Sequence, residues 1–181
     1  MTLRVSGRAF ACIALALSLG PSAAAWARPP VRSLAEIRYD HVVHQKWDLS
    51  CGAAALATLF TYDLGHPLGE VEIARSILQK RDPARVNKQG GFSLLDLQEV
   101  AEAHGYEADG YGKLTIADLQ GMLPAIVPLE LYRGDHFVVV RAVRDGEVFF
   151  ADPAFGNRSL SLADFAKFWV QKVGFVVHPR S

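Results

Sequence analysis

The sequence predicts an α+β fold, with helices in its first half and an antiparallel sheet in its second. Three observations carry this. Between Cys51 and His104 apolar residues recur at helical spacing, in runs marked off by capping and stop residues. From Ala125 onward, short runs rich in valine, isoleucine and phenylalanine replace them. Asp145-Gly146 separates two of these runs, which is a hairpin signal and makes the pairing antiparallel. Helices first and strands second define the α+β class.

The first 27 residues stand apart. Arg4 and Arg8 precede an apolar run from Ala9 to Leu19, and small residues follow, ending in Ala25-Trp26-Ala27. This is the three-part pattern of a signal peptide, with an apolar run too short to span a bilayer. The expected organisation is therefore a signal peptide over 1–27 and one domain over 28–181, exported to the periplasm. No second apolar stretch is long enough to cross a membrane, so no stable membrane insertion is expected after cleavage. The chain of 181 residues is 50% hydrophobic and 21% charged, with no net charge. These values fit a globular domain. They offer no basic patch for nucleic acid.

Within the domain, 28–37 is an entry segment and Tyr39 to Val43 reads as a short strand. The run from Cys51 to Tyr62 is rich in alanine and leucine, so it reads as a buried helix, with Asp48 or Ser50 as its cap. Glu70 to Gln79 is a second helix, with Val71, Ala74, Ile77 and Leu78 on one face. Arg81 to Gly91 reads as a polar loop. Ser93 caps a third helix, Leu94 to His104, with Leu95, Val100 and Ala101 directed to the core. Ala125 to Leu131, His136 to Val143, Glu147 to Ala151 and Gly174 to His178 are strands. A short helix, Leu162 to Val170, precedes the last of them. Phe165, Phe168 and Trp169 have helical spacing on it and read as core.

The sequence holds two cysteines, Cys12 and Cys51. Cys12 lies before most of the apolar run, whereas a lipidated cysteine would follow it. Cys51 is then the sole thiol of the mature domain, and it opens a buried helix. Unpaired N–H groups at a helix start favour a thiolate, the nucleophilic form. Gly52 removes a side chain where a substrate backbone would approach. Gln45, six residues upstream, can aim an amide N–H at an oxyanion beside the Cys51 N–H. His136 begins the most hydrophobic strand and has the chemistry to exchange a proton with a thiol. Asp152 ends the next strand. If the two strands pair through Asp145-Gly146, Asp152 sits beside His136 and can orient its ring. Only the overall fold can bring Cys51 to them. The remaining histidines, His41, His44, His66, His104 and His178, show no metal-ligand spacing, and no cofactor signature is present.

The stretch Gln45-Lys46-Trp47-Asp48-Leu49-Ser50-Cys51-Gly52-Ala53-Ala54-Ala55-Leu56 resembles the cysteine box of family 39 of the cysteine peptidases, the enzymes that remove double-glycine leaders from bacteriocins. Gly134-Asp135-His136-Phe137-Val138-Val139-Val140 and Val148-Phe149-Phe150-Ala151-Asp152-Pro153 look like its histidine box and aspartate. Gly91 to Leu97, Gly105-Tyr106 and the tail from Ser159 to Trp169 are similar to its middle and end. The resemblance implies a papain-like fold. It also implies Cys51 as nucleophile, His136 as base and acid, Asp152 as orienter and Gln45 in the oxyanion hole. Many members have aspartate directly before the cysteine; here that residue is Ser50. Leader peptidases usually head a transporter. This chain carries no transporter domain and looks closer to the stand-alone exported members that accompany functional amyloid (Fap) secretion. The expected partner is a protein or peptide substrate, drawn from an exported protein or its secretion machinery. The same triad would also serve a cell-wall amidase or endopeptidase, or transglutaminase-like acyl transfer. A groove around Trp47 and Tyr132 would separate these. A non-catalytic substrate-binding module is the reading from another class.

Overall fold

In the computed structural model, residues 31–131 and 134–180 are described, together with Thr2. Apart from Thr2, the expected signal peptide over 1–27, with Cys12, lies outside the described residues, as does Tyr132. Arg32–Ser181 form one compact unit.

A short helix α1, Leu34–Arg38, opens the unit, with Ser33 and Glu36 forming a reciprocal capping box. The expected strand Tyr39 to Val43 does not form. Tyr39 ends α1, its N–H bonding back to Ala35 O at 2.9 Å, and His41 has a φ of 56°, which no strand accommodates. Helix α2, Cys51–Thr58, is buried along its whole length and runs into a π-helical segment, Leu59–Asp63. Helix α3, Glu70–Leu78, buries Glu70, Ile73, Ala74 and Ile77, while Leu78 of the expected face is exposed.

The supposed polar loop over Arg81 to Gly91 contains helix α4, Pro83–Gln89. Its ends are standard chemistry. Asp82 caps the start, proline opens the first turn, and Gly90 closes it at a φ of 83°. Helix α5, Leu94–Ala103, starts from the Ser93 capping box and buries Leu97, Val100 and Ala101. Leu95, expected in the core, faces outward and is 59% exposed.

Six strands follow: β1 Tyr106–Tyr111, β2 Ala125–Leu131, β3 Gly134–Arg144, β4 Glu147–Asp152, β5 Gly156–Ser161 and β6 Gly174–Pro179. All pair antiparallel, in the order β1-β6-β2-β3-β4-β5. Strand β5 is too polar to announce itself by pattern and exists through its ladder to β4. Two further helices, α6 Ile116–Gly121 and α7 Leu162–Phe168, complete the unit.

Alternation along the strands splits the core in two. Ile126, Val139, Ala151, Phe175 and Val177 join α2, α3 and α5. Val127, Leu129, Val138, Val140 and Phe150 pack with Leu119, Phe165 and Trp169 on the other side. Both faces of the central strands are therefore dry, which fixes their register. Phe165 and Trp169 are core residues, as their spacing implies, and Phe168 is half-buried.

Candidate active site

Cys51 is the first residue of α2 and is buried. No side chain caps this helix start, contrary to the expectation for Asp48 or Ser50. Ser50 instead turns its hydroxyl to Glu70 Oε1 at 2.5 Å and to the Trp47 backbone. The first turn of α2 thus presents its N–H groups without a side-chain acceptor. Gly52 has a different purpose from the one expected. A Cβ there would lie 3.3 Å from the Phe137 ring and 3.6 Å from Leu97, so the missing side chain lets α2 settle against β3 and α5.

His136 stands near the start of β3. The turn at Asp145 and Gly146 has positive φ at both residues, 53° and 80°, as a tight hairpin requires. It returns β4 alongside β3 and brings Asp152 to His136, with Nε2 to Oδ1 at 2.7 Å. Cys51 lies on the same cleft as the ring and is close enough to act on its protonation. With Nε2 committed to Asp152, Nδ1 is the nitrogen left for the thiol. Asp152 is completely buried. Its Oδ1 also accepts the N–H groups of Ala154, at 2.8 Å, and Phe155, at 3.2 Å, and its Oδ2 lies 3.3 Å from Arg158. These last partners were missed in the sequence, although Asp-Pro is a turn signal in which aspartate accepts N–H groups just downstream.

Cys51, His136 and Gln45 line one open cleft of about 1020 Å³. Its walls come from the Gln89–Phe92 segment on one side and from Val170, Gln171 and Val173 on another. Gln45 donates from Nε2 to Trp47 O at 3.1 Å, which uses one of its two amide hydrogens. Trp47, half-exposed, does not border this cleft. It stands over a second groove with Val71, Leu78 and Val86, on the other side of the 46–50 loop. No cluster of three or more metal-ligating side chains occurs among the described residues.

The electrostatics follow from this geometry. Burial, the largest influence on His136, pushes its pKa down. Hydrogen bonds and negative charge from Asp152 and Cys51 outweigh it and raise the imidazole from 6.5 to about 9. For Asp152 burial acts upward, and the His136 contact with the two backbone N–H groups outweighs it, leaving the carboxyl lowered. A raised histidine means that the folded state binds the extra proton. Its contribution to stability is complete below pH 6.5 and is lost as pH rises through about 9. The Asp152 contribution has the opposite sense and is lost on acidification. The melting temperature is expected to fall between pH 6.5 and 9 in the wild type, and this fall is expected to be absent in His136→Ala. Equal slopes in both proteins would contradict the assignment.

A buried thiol at a helix start, facing an imidazole held by a carboxylate across the sheet, is the arrangement of the papain-like fold. The sequence profile of the Peptidase C39 family matches residues 40–181. The chain belongs to this family. It is 41% identical over 140 residues to "Probable functional amyloid protease FapD" of Pseudomonas aeruginosa. It is 36% identical over 141 residues to the protein of the same name from Pseudomonas fluorescens. Each alignment covers 77% of this chain, and the chain spans 61% of the length of these relatives. Among solved structures, a double-glycine motif protease from an AMS/PCAT transporter, in complex with its leader peptide, superposes with a TM-score of 0.63 at 23% identity. That match covers 77% of this chain and 91% of the other. The peptidase domain of Streptococcus ComA gives the same score at 19% identity, over 77% and 98%. At these identities the structural likeness speaks for the fold.

Proposed function

We propose that this chain is an exported thiol peptidase that cleaves an exported protein in the service of functional amyloid secretion, with Cys51, His136, Asp152 and Gln45 as its catalytic group. The observation that carries the reading is the placement of His136, held by Asp152 on Nε2 and lining one cleft with Cys51.

The chemistry follows from that pair. The Cys51 thiolate attacks the peptide carbonyl carbon, an S–C bond forms, and the carbonyl π pair moves to oxygen. That oxyanion takes hydrogen bonds from the Cys51 backbone N–H and from the second amide hydrogen of Gln45. Collapse breaks the C–N bond as the His136 imidazolium gives its proton to the departing amine. Neutral His136 then takes a proton from water, whose oxygen displaces the sulfur. A carboxylic acid leaves, and the thiolate–imidazolium pair returns. Asp152 keeps the ring aligned throughout and stabilises its charged form.

The amyloid assignment rests on the names of the two Pseudomonas relatives, and the location on the signal pattern in residues 1–27. The test compares secreted and envelope proteins from cells carrying wild type or Cys51→Ser. An exported substrate is expected to accumulate uncleaved in the variant. Identical protein sets, together with digestion of peptidoglycan by the purified wild type, would shift the assignment to cell-wall hydrolysis.

A further inference from the structure

Glu70 opens α3 and is 2% exposed, and no cation pairs with it among the described contacts. A buried carboxyl is costly unless its oxygens are hydrogen-bonded. Its bonds all point one way. Oε1 accepts the backbone N–H of Lys46 at 2.9 Å and the hydroxyl of Ser50 at 2.5 Å. Oε2 is buried with no partner. The Ser50 oxygen in turn receives the Trp47 N–H at 3.2 Å, and the Ser50 N–H bonds Trp47 O at 3.1 Å. One carboxylate oxygen thus gathers a tight turn over 46–50.

The ends of that turn matter. Gln45 immediately precedes it and Cys51 immediately follows it. Gln45 is fixed further by its backbone N–H to Pro153 O at 2.9 Å, and its amide is tied to Trp47 O, inside the turn. We propose that Glu70 is a positioning residue for the oxyanion hole. By holding Lys46 and Ser50 on one oxygen, it sets the distance and direction between the Gln45 amide and the Cys51 N–H. This rests on the reading of those two groups as the oxyanion donors. Glu70 itself does not line the cleft. Its effect passes through the turn.

The consequence is a separation of two properties. Nucleophilicity of Cys51 depends on His136, whereas stabilisation of a tetrahedral oxygen depends on the turn. Iodoacetamide reads the first, because alkylation creates no oxyanion. Reversible capture of acetyl-glycyl-glycinal reads the second. There the thiolate adds to the aldehyde carbon, the C=O pair moves to oxygen, and that oxygen occupies the hole before taking a proton from the imidazolium.

For Glu70→Ala, alkylation within about twofold of wild type and aldehyde capture weakened about tenfold or more are expected, a loss below that of deleting a donor outright. Glu70→Gln is expected to recover most of the capture, because its amide oxygen accepts the same two donors. Ser50→Ala tests the link from the turn itself, should Glu70→Ala fail to fold, with the same split expected in smaller degree. Undiminished capture in Glu70→Ala or Ser50→Ala overturns the assignment. So does an equal loss of alkylation and capture, or Glu70→Gln as impaired as Glu70→Ala. A wild type that alkylates without capturing the aldehyde, or a Gln45→Ala variant that captures it fully, overturns the oxyanion-hole reading and this one with it.

Discussion

Replacing Cys51 with alanine is expected to take peptide hydrolysis to background, a loss of about ten-thousandfold or more, while the protein stays folded. The side chain removed is a single sulfur at the edge of the core, so the melting temperature is expected to move little. The companion measurement is alkylation. Cys51 is expected to react with iodoacetamide faster than a model thiol near neutral pH. His136→Ala is expected to remove that excess, since the imidazole is the group placed to exchange a proton with the thiol. Hydrolysis that survives Cys51→Ala, or labelling at the rate of an ordinary thiol, would leave the fold without the chemistry assigned to it. The latter outcome would favour a substrate-binding module.

The second large effect is expected at Asp152. Alanine there deprives His136 of its Nε2 partner and the Ala154 N–H of its side-chain acceptor, while the Phe155 N–H keeps the Asp152 backbone oxygen at 3.2 Å. A stability loss of about 2–4 kcal/mol is expected. Hydrolysis is expected to fall about a hundredfold to ten-thousandfold. Asparagine separates orientation from charge. Its Oδ1 can accept the same three N–H groups, but the negative charge that raises His136 is gone. Asp152→Asn is therefore expected to remain active at neutral pH, with the alkaline fall of its rate profile moved below the wild-type value of about 9. A profile superposing on that of the wild type would show that charge at Asp152 does not govern the ring.

Much of the site was legible because its parts mark element ends. Asp145-Gly146 allows little besides a hairpin, and a hairpin obliges the residue closing β4 to meet one near the start of β3. Nothing local could place Cys51 there, because α2 reaches β3 through tertiary packing, with Gly52 against Phe137 and Leu97. Glu70 was hidden for the same reason. Its partners lie 20 and 24 residues back along the chain, and a glutamate at a helix start ordinarily reads as a favourable charge near the dipole. The errors have equally local causes. Helix α4 was passed over although Asp82-Pro83 and Gly90 bracket it, because its composition is polar. The strand expected over Tyr39 to Val43 yielded to the end of α1. Strand β5 required the ladder it joins.

The two buried clusters meet at the sheet, and Cys51 and His136 straddle that meeting. The sulfur comes from a helix belonging to one cluster, and the imidazole from a strand whose alternate residues belong to both. An unfolded or half-assembled chain therefore holds an ordinary thiol and an ordinary imidazole, separated by 85 residues of sequence. Tertiary docking is what brings the two groups together. A chain whose last layer has not closed lacks that juxtaposition.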